Sequence, residues 1–118
     1  MKKKSKHSHP RKRKEFRLKK IAIRNKEKMR HPVYIIIEKG NVYVYVSLTH
    51  SNEIEGKIVI KLKKNPNPDD DRDSYYVLEI HEDTKDKFGS RLQGWLIDPS
   101  DDEKIRELYK KDDSAIDI

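Results

Sequence analysis

The chain has 118 residues, 33% hydrophobic and 42% charged, with a net charge of +7 and no cysteine. That length suits one domain with a small core, and the missing cysteine excludes a disulfide framework, a thiolate nucleophile and a zinc–thiolate site. No apolar run approaches the roughly 18 residues of a membrane span and the basic start lacks an apolar signal-peptide region, which fits a cytoplasmic protein with no membrane partner.

The charge is unevenly spread. Residues 1–30 carry fifteen Lys and Arg against Glu15 and Glu27, a net +13, and the other 88 residues carry thirteen against nineteen acids, a net −6. Clustered cations displace counterions from a polyphosphate backbone, giving strong, salt-sensitive affinity without sequence reading. Residues 1–30 therefore read as a basic arm for RNA or other nucleic acid, largely disordered on its own. Its first 14 residues, ending in Arg11, Lys12, Arg13 and Lys14, are low in complexity. An anionic membrane offers the same attraction, but this stretch has no large apolar side chain after Met1. The bland reading is a solvated tail that aids solubility. His7 and His9 form an H-x-H pair with no third ligand nearby, so no metal or cofactor is assigned.

Of the 39 hydrophobic residues, 29 lie between His31 and Lys111, which places one domain over 31–111 and a tail over 112–118. A short strand or irregular segment is expected near Leu18–Ile23. Val33–Glu38 and Val42–Leu48 are dense in β-branched and aromatic residues, and Lys39-Gly40-Asn41 between them predicts a hairpin. Lys57–Lys63 alternates, with Ile58, Ile60 and Leu62 inward and Lys57, Lys61 and Lys63 outward. Two prolines make Asn65–Asp69 a loop, and Tyr75–His81 reads as a fourth strand. Asp69, Asp71 and Asp73 mimic the start of a calcium loop, but Ser74 stands where the glycine belongs. A helix over Asp101–Lys111 is predicted, with Ser100 and Glu103 as a capping box, an Asp102–Arg106 pair, and Ile105, Leu108 and Tyr109 as its apolar stripe.

Candidate chemistry gathers on the hairpin. Alternation gives Val42, Val44, Val46 and Leu48 to the core and Tyr43, Tyr45, Ser47 and Thr49 to the other face. Rings beside hydroxyls on an open strand face can stack bases and hold phosphates, with Lys57, Lys61 and Lys63 as neighbouring cations. The bland alternative is that the tyrosines shield a half-exposed sheet. Thr49-His50-Ser51 ends the second hairpin strand and Arg30-His31-Pro32 opens the first, so antiparallel pairing brings Arg30 toward Thr49. Arginine can stabilise charge developing on phosphorus, a threonine hydroxyl can bond a phosphoryl oxygen, and His31 or His50 could move a proton near neutral pH. A surface histidine can also be merely polar.

The stretch Arg30-His31-Pro32-Val33-Tyr34-Ile35-Ile36-Ile37, a turn, then Val42–Leu48 and Thr49-His50-Ser51 resembles the MazF/PemK-like toxin family over about residues 30–62. The resemblance implies a small SH3-like barrel and metal-independent cleavage of single-stranded RNA. Arg30 and Thr49 stand where that family has its catalytic pair. The implied reaction is attack by the 2′-OH on the adjacent phosphate. It also raises a protein antitoxin and a homodimer as partners, neither of which the residues specify. The family's opening Gly-Asp strand and glycine-rich loop are replaced here by the basic arm. The expectation is thus a mainly β, SH3-like barrel with a C-terminal helix and an endoribonuclease activity. The alternatives are a non-catalytic nucleic-acid-binding accessory protein of a mobile element, binding through the arm, and a protein-interaction barrel.

Overall fold

A computed structural model describes residues 23–116; Arg11, Lys12, Arg13 and Lys14 lie outside the described residues. The fold is mainly β with one C-terminal helix. Seven strands, β1 (Ile23–Lys26), β2 (Val33–Lys39), β3 (Val42–Thr49), β4 (Val59–Lys61), β5 (Tyr75–Val77), β6 (His81–Thr84) and β7 (Phe88–Arg91), precede α1 (Pro99–Ile116). All pairings are antiparallel, in the order β4-β5-β3-β2-β1-β7, with β6 also on β3. The sheet is not closed, since β4 and β7 end the path; it is consistent with a small barrel-like fold. The sheet begins inside the segment assigned to the basic arm, because Ile23 is buried opposite Tyr34.

The β2–β3 hairpin forms as its sequence predicts. Gly40 adopts φ +54 at the first position of the tight turn, where a side chain would be strained. Lys39 pairs with Val42 at the turn and Val33 with Ser47 at the far end. Between them the register shifts, Ile35 facing Tyr45 and Ile37 facing Val44, so Ile36 is the extra residue of a bulge. The strand is buried on both faces, which explains an unbroken apolar run where alternation would be expected. Tyr34 and Ile36 enter a main core with Val44, Val46 and Leu48. Ile35 and Val33 enter a second, smaller core on the other face with Tyr45.

Two strand expectations change. Only Val59–Lys61 forms β4; Ile58 is 63% exposed while Leu62 is 2% exposed, so the inward alternation fails at Ile58. The fourth strand divides into β5 and β6, which share one edge of β3: Leu48 pairs with Tyr76 and Tyr45 with His81. Four residues of that strand then face two of β3. The excess is taken up at Leu78–Ile80: the Leu78 N–H continues the ladder to β4 by donating to the Ile58 carbonyl, and the Glu79 N–H turns back onto the Val77 carbonyl at 2.8 Å.

The helix starts earlier than its capping box suggests. Asp98 is the cap: its carboxylate accepts from the Ser100 N–H at 3.0 Å and from the Ser100 hydroxyl, and Pro99 occupies the first turn, where its missing N–H costs nothing. Asp101 and Asp102, in the first turn of the helix, are almost fully buried. Asp101 accepts from the Lys63 N–H at 2.9 Å, pinning the end of β4 to the helix. Burial pushes its carboxyl above the usual range, against the opposing backbone bonds from Lys63 and Lys64. Ile105 is fully buried, with Leu108 and Tyr109 packed beside it as the stripe requires. No described helix is long and apolar enough to cross a membrane.

Candidate functional site

The far end of the hairpin is where candidate residues converge. Pro32 has no N–H to give, but its carbonyl accepts from the Leu48 N–H at 3.2 Å, extending the ladder past Val33–Ser47. One step further the His31 and His50 rings meet edge to face, their centroids 5.8 Å apart. His31 is exposed and His50 half-buried.

The loop between β4 and β5 closes the site from the other side. Thr49 pairs with Tyr75, and Tyr75 with Lys61, so β5 delivers the loop's end to the end of β3. His50 Nδ1 lies 3.0 Å from the Asp73 carbonyl oxygen. A carbonyl only accepts, so Nδ1 carries the proton and Nε2 of a neutral His50 presents a lone pair. Facing that Nε2 are Arg72 Nη2 at 3.4 Å and Asp70 Oδ2 at 3.5 Å. Arg72 and Asp70 bind each other through Nη2–Oδ2 at 2.7 Å and Nε–Oδ1 at 3.0 Å. Hydrogen bonds from the Arg72 side chain and backbone hold the Asp70 carboxyl far below the usual carboxylate range. Lys61, exposed, lies 3.5 Å from the Asp73 carboxylate.

Arg30 and Thr49, the expected catalytic pair, stand at this same end of the hairpin with no hydrogen bond between their side chains. Thr49 is buried, and its hydroxyl oxygen accepts from the Ser51 N–H at 3.1 Å, so it serves the turn that follows. Arg30 is exposed on a bend and has no hydrogen bond or ion pair with a described residue. Ser51 spends its hydroxyl on the Glu53 carbonyl at 2.6 Å. The two histidines are the expected residues that this end does bring together.

The open tyrosine face is also corrected. Tyr45 is 7% exposed, packed on Val33, Ile35 and Phe88 in the second core, so its ring is not available for stacking. Tyr43 is half-buried, edge-on to Phe88 at 5.1 Å, with Arg24 5.2 Å and Lys85 5.4 Å from its ring centre. Strands β1 and β7 and the turn after β6 thus bring residues onto the face that alternation left open. Ser47, opposite Val33, is half-buried. Lys57 Nζ donates to both Glu79 oxygens, at 2.9 and 2.8 Å. Lys63 remains exposed beside the loop.

Sequence reasoning missed Asp70, Arg72 and the Asp73 carbonyl. A signal was present in Asn65–Asp73, where Asn and Asp recur two residues apart. Each such side chain can accept from the N–H two residues on, and Asn65, Asn67 and Asp70 do so at 2.9–3.0 Å. Among the described residues no cluster of three His, Asp or Glu side chains suits a metal ion. No protein-family model, curated protein or solved structure matches the chain.

Proposed function

We propose that the protein is a metal-independent endoribonuclease of the MazF/PemK-like kind, acting on single-stranded RNA, with His50 and His31 as its proton-transfer pair. The observation that supports this reading is the meeting of those two imidazoles at one sheet end, with the His50 tautomer set by the Asp73 carbonyl. Histidine is the side chain suited to giving and taking protons near neutral pH. In the proposed reaction His50 Nε2 takes the proton of a ribose 2′-OH as its oxygen attacks the adjacent phosphorus. The 2′-O–P bond forms, the P–O5′ bond breaks, and protonated His31 gives its proton to the departing 5′ oxygen. The products are a cyclic phosphate and a 5′-hydroxyl end. Arg30, next to His31 in the chain, is the cation the resemblance supplies.

The test is incubation of purified protein with mixed-sequence single-stranded RNA in EDTA, beside His31→Ala, His50→Ala and Arg30→Ala. Cleavage with cyclic phosphate ends that both histidine substitutions abolish is the expected result. RNA that all four proteins bind but leave intact overturns it.

A second reading, a non-catalytic nucleic-acid-binding accessory protein, has its own support in the charge. Residues 1–22 carry eleven Lys and Arg against one acid, whereas residues 23–111 carry seventeen of each sign. Long-range attraction for a polyanion is therefore concentrated ahead of the described sheet.

A further inference from the structure

Arg72 is unusual for an exposed side chain in how completely it is held. Its side chain is 67% exposed, where an arginine ordinarily samples many rotamers. Yet its backbone N–H donates to Asp70 Oδ1 at 3.0 Å, and its carbonyl accepts from Asn65 Nδ2 at 3.0 Å. Its guanidinium is clasped by Asp70 along the Nε–Nη2 edge. Asp70 occupies only that edge. Nη1 makes no hydrogen bond to a described residue, and Nη2 also faces the lone-pair nitrogen of His50. The result is a fixed cation beside a candidate base, with donors left over and a fork geometry that matches phosphoryl oxygens.

We propose that Arg72 binds the scissile phosphate of the nucleic acid, presenting it to His50, with Asp70 and Asn65 as positioning residues. The identification of the ligand as RNA rests on the endoribonuclease reading above; the phosphate site itself does not. A cation held in place before the ligand arrives needs no reorganisation as charge develops on the phosphoryl oxygens. Asp70 contributes by orientation, although its charge offsets part of the attraction. Lys61, on the neighbouring strand and paired with Asp73, supplies a second positive charge at the rim. The competing explanation is that Arg72 merely closes the Asn65–Asp73 loop, so the test must read the ligand as well as the fold.

Full-length protein in EDTA near neutral pH is titrated with inorganic phosphate while the imidazole C–H resonances of His50 and His81 are followed by NMR. Phosphate is expected to shift the His50 signals saturably and leave those of His81, which pairs with Glu79, in place. Arg72→Ala and Arg72→Lys should each lose most of the His50 shift. The lysine variant keeps the charge and loses the fork, and thermal melts of both report on the fold. Loss of the shift with the melt retained supports phosphate binding. A His50 shift that survives in Arg72→Ala overturns it, as does the absence of any shift in the wild-type protein.

Cleavage separates this proposal from the one it extends. If wild-type protein cuts RNA, Arg72→Ala should lower kcat about 10²-fold, the cost of removing one preorganised donor. Wild-type rates in that variant would overturn the Arg72 role and leave the endoribonuclease reading standing. Intact RNA combined with an Arg72-dependent phosphate shift would do the reverse.

Discussion

The Tyr34 hydroxyl donates a 2.6 Å hydrogen bond to the Asp102 carboxylate, joining the second strand to the helix across the main core. Both residues are at most 1% exposed, and Asp102 also accepts from Arg106 Nε at 3.0 Å. A buried carboxylate is tolerated because it is bonded from two sides. Tyr34→Phe should cost about 1–3 kcal/mol, the usual penalty for leaving a buried acceptor one donor short. Asp102→Ala should cost more, about 3–5 kcal/mol, because it strands the Arg106 charge. Urea unfolding of both single variants and the double variant checks this. The double variant should lose less than the sum, and strict additivity would mean the two residues do not interact.

Tyr45 separates a core role from an RNA-stacking role. As a residue of the second core, it should tolerate Tyr45→Phe with unchanged RNA affinity, while Tyr45→Ala destabilises by about 3–5 kcal/mol, as for other large aromatic truncations. Thermal unfolding and RNA titration of the two variants read these separately. Normal stability in Tyr45→Ala together with weakened RNA binding would return the ring to the role its alternation suggested.

The helix cap carries a pH signature. The Ser100 hydroxyl bond, helped by the Ser100 and Asp101 backbone bonds and opposed by burial, holds the Asp98 carboxyl below its ordinary value. A native pKa below the unfolded one means the unfolded chain binds the proton first as pH falls. The stabilisation is therefore present above the unfolded value of about 3.9 and is lost as pH drops through the lower native value. Asp98→Ala should cost about 1 kcal/mol at neutral pH, with the deficit shrinking in acid. Asp98→Asn, which can still cap, should show a smaller deficit. A deficit that is the same at neutral and acid pH would show that Asp98 acts without its charge.

The hairpin, the loop at Asn65–Asp69 and the helix stripe were legible because each depends on neighbours in the chain: a glycine turn, two prolines, an apolar spacing. The cores were less legible. Ile36 sits in a bulge, which breaks the two-residue period, and Tyr45 is covered by Phe88, 43 residues later in the chain. The same limit applies at the candidate site. His31 and His50 are brought together by a hairpin that adjacent residues specify. Arg72 arrives through the Thr49–Tyr75 pairing, whose register no local pattern fixes. Asp98-Pro99 was a readable helix start, overlooked because Ser100 and Glu103 offered a competing box two residues later.

The basic segment and the histidine end should be separable by salt. Arg11, Lys12, Arg13 and Lys14 are adjacent cations in a stretch whose charge is nearly all positive. If each engages one phosphate of a single strand, replacing all four with alanine should reduce the slope of log K against log salt by about 3. RNA affinity at low salt should fall accordingly. The histidines are independent of that attraction in this reading, so with the RNA fully bound the quadruple variant should cleave at the wild-type rate. His50→Ala should show the converse, full affinity and salt slope with no cleavage. Anisotropy titrations over a salt series, paired with single-turnover cleavage at saturating protein, measure both quantities on the same RNA. An unchanged slope in the quadruple variant would move the binding surface away from Arg11–Lys14. A loss of cleavage at saturation in that variant would place part of the chemistry in the basic segment.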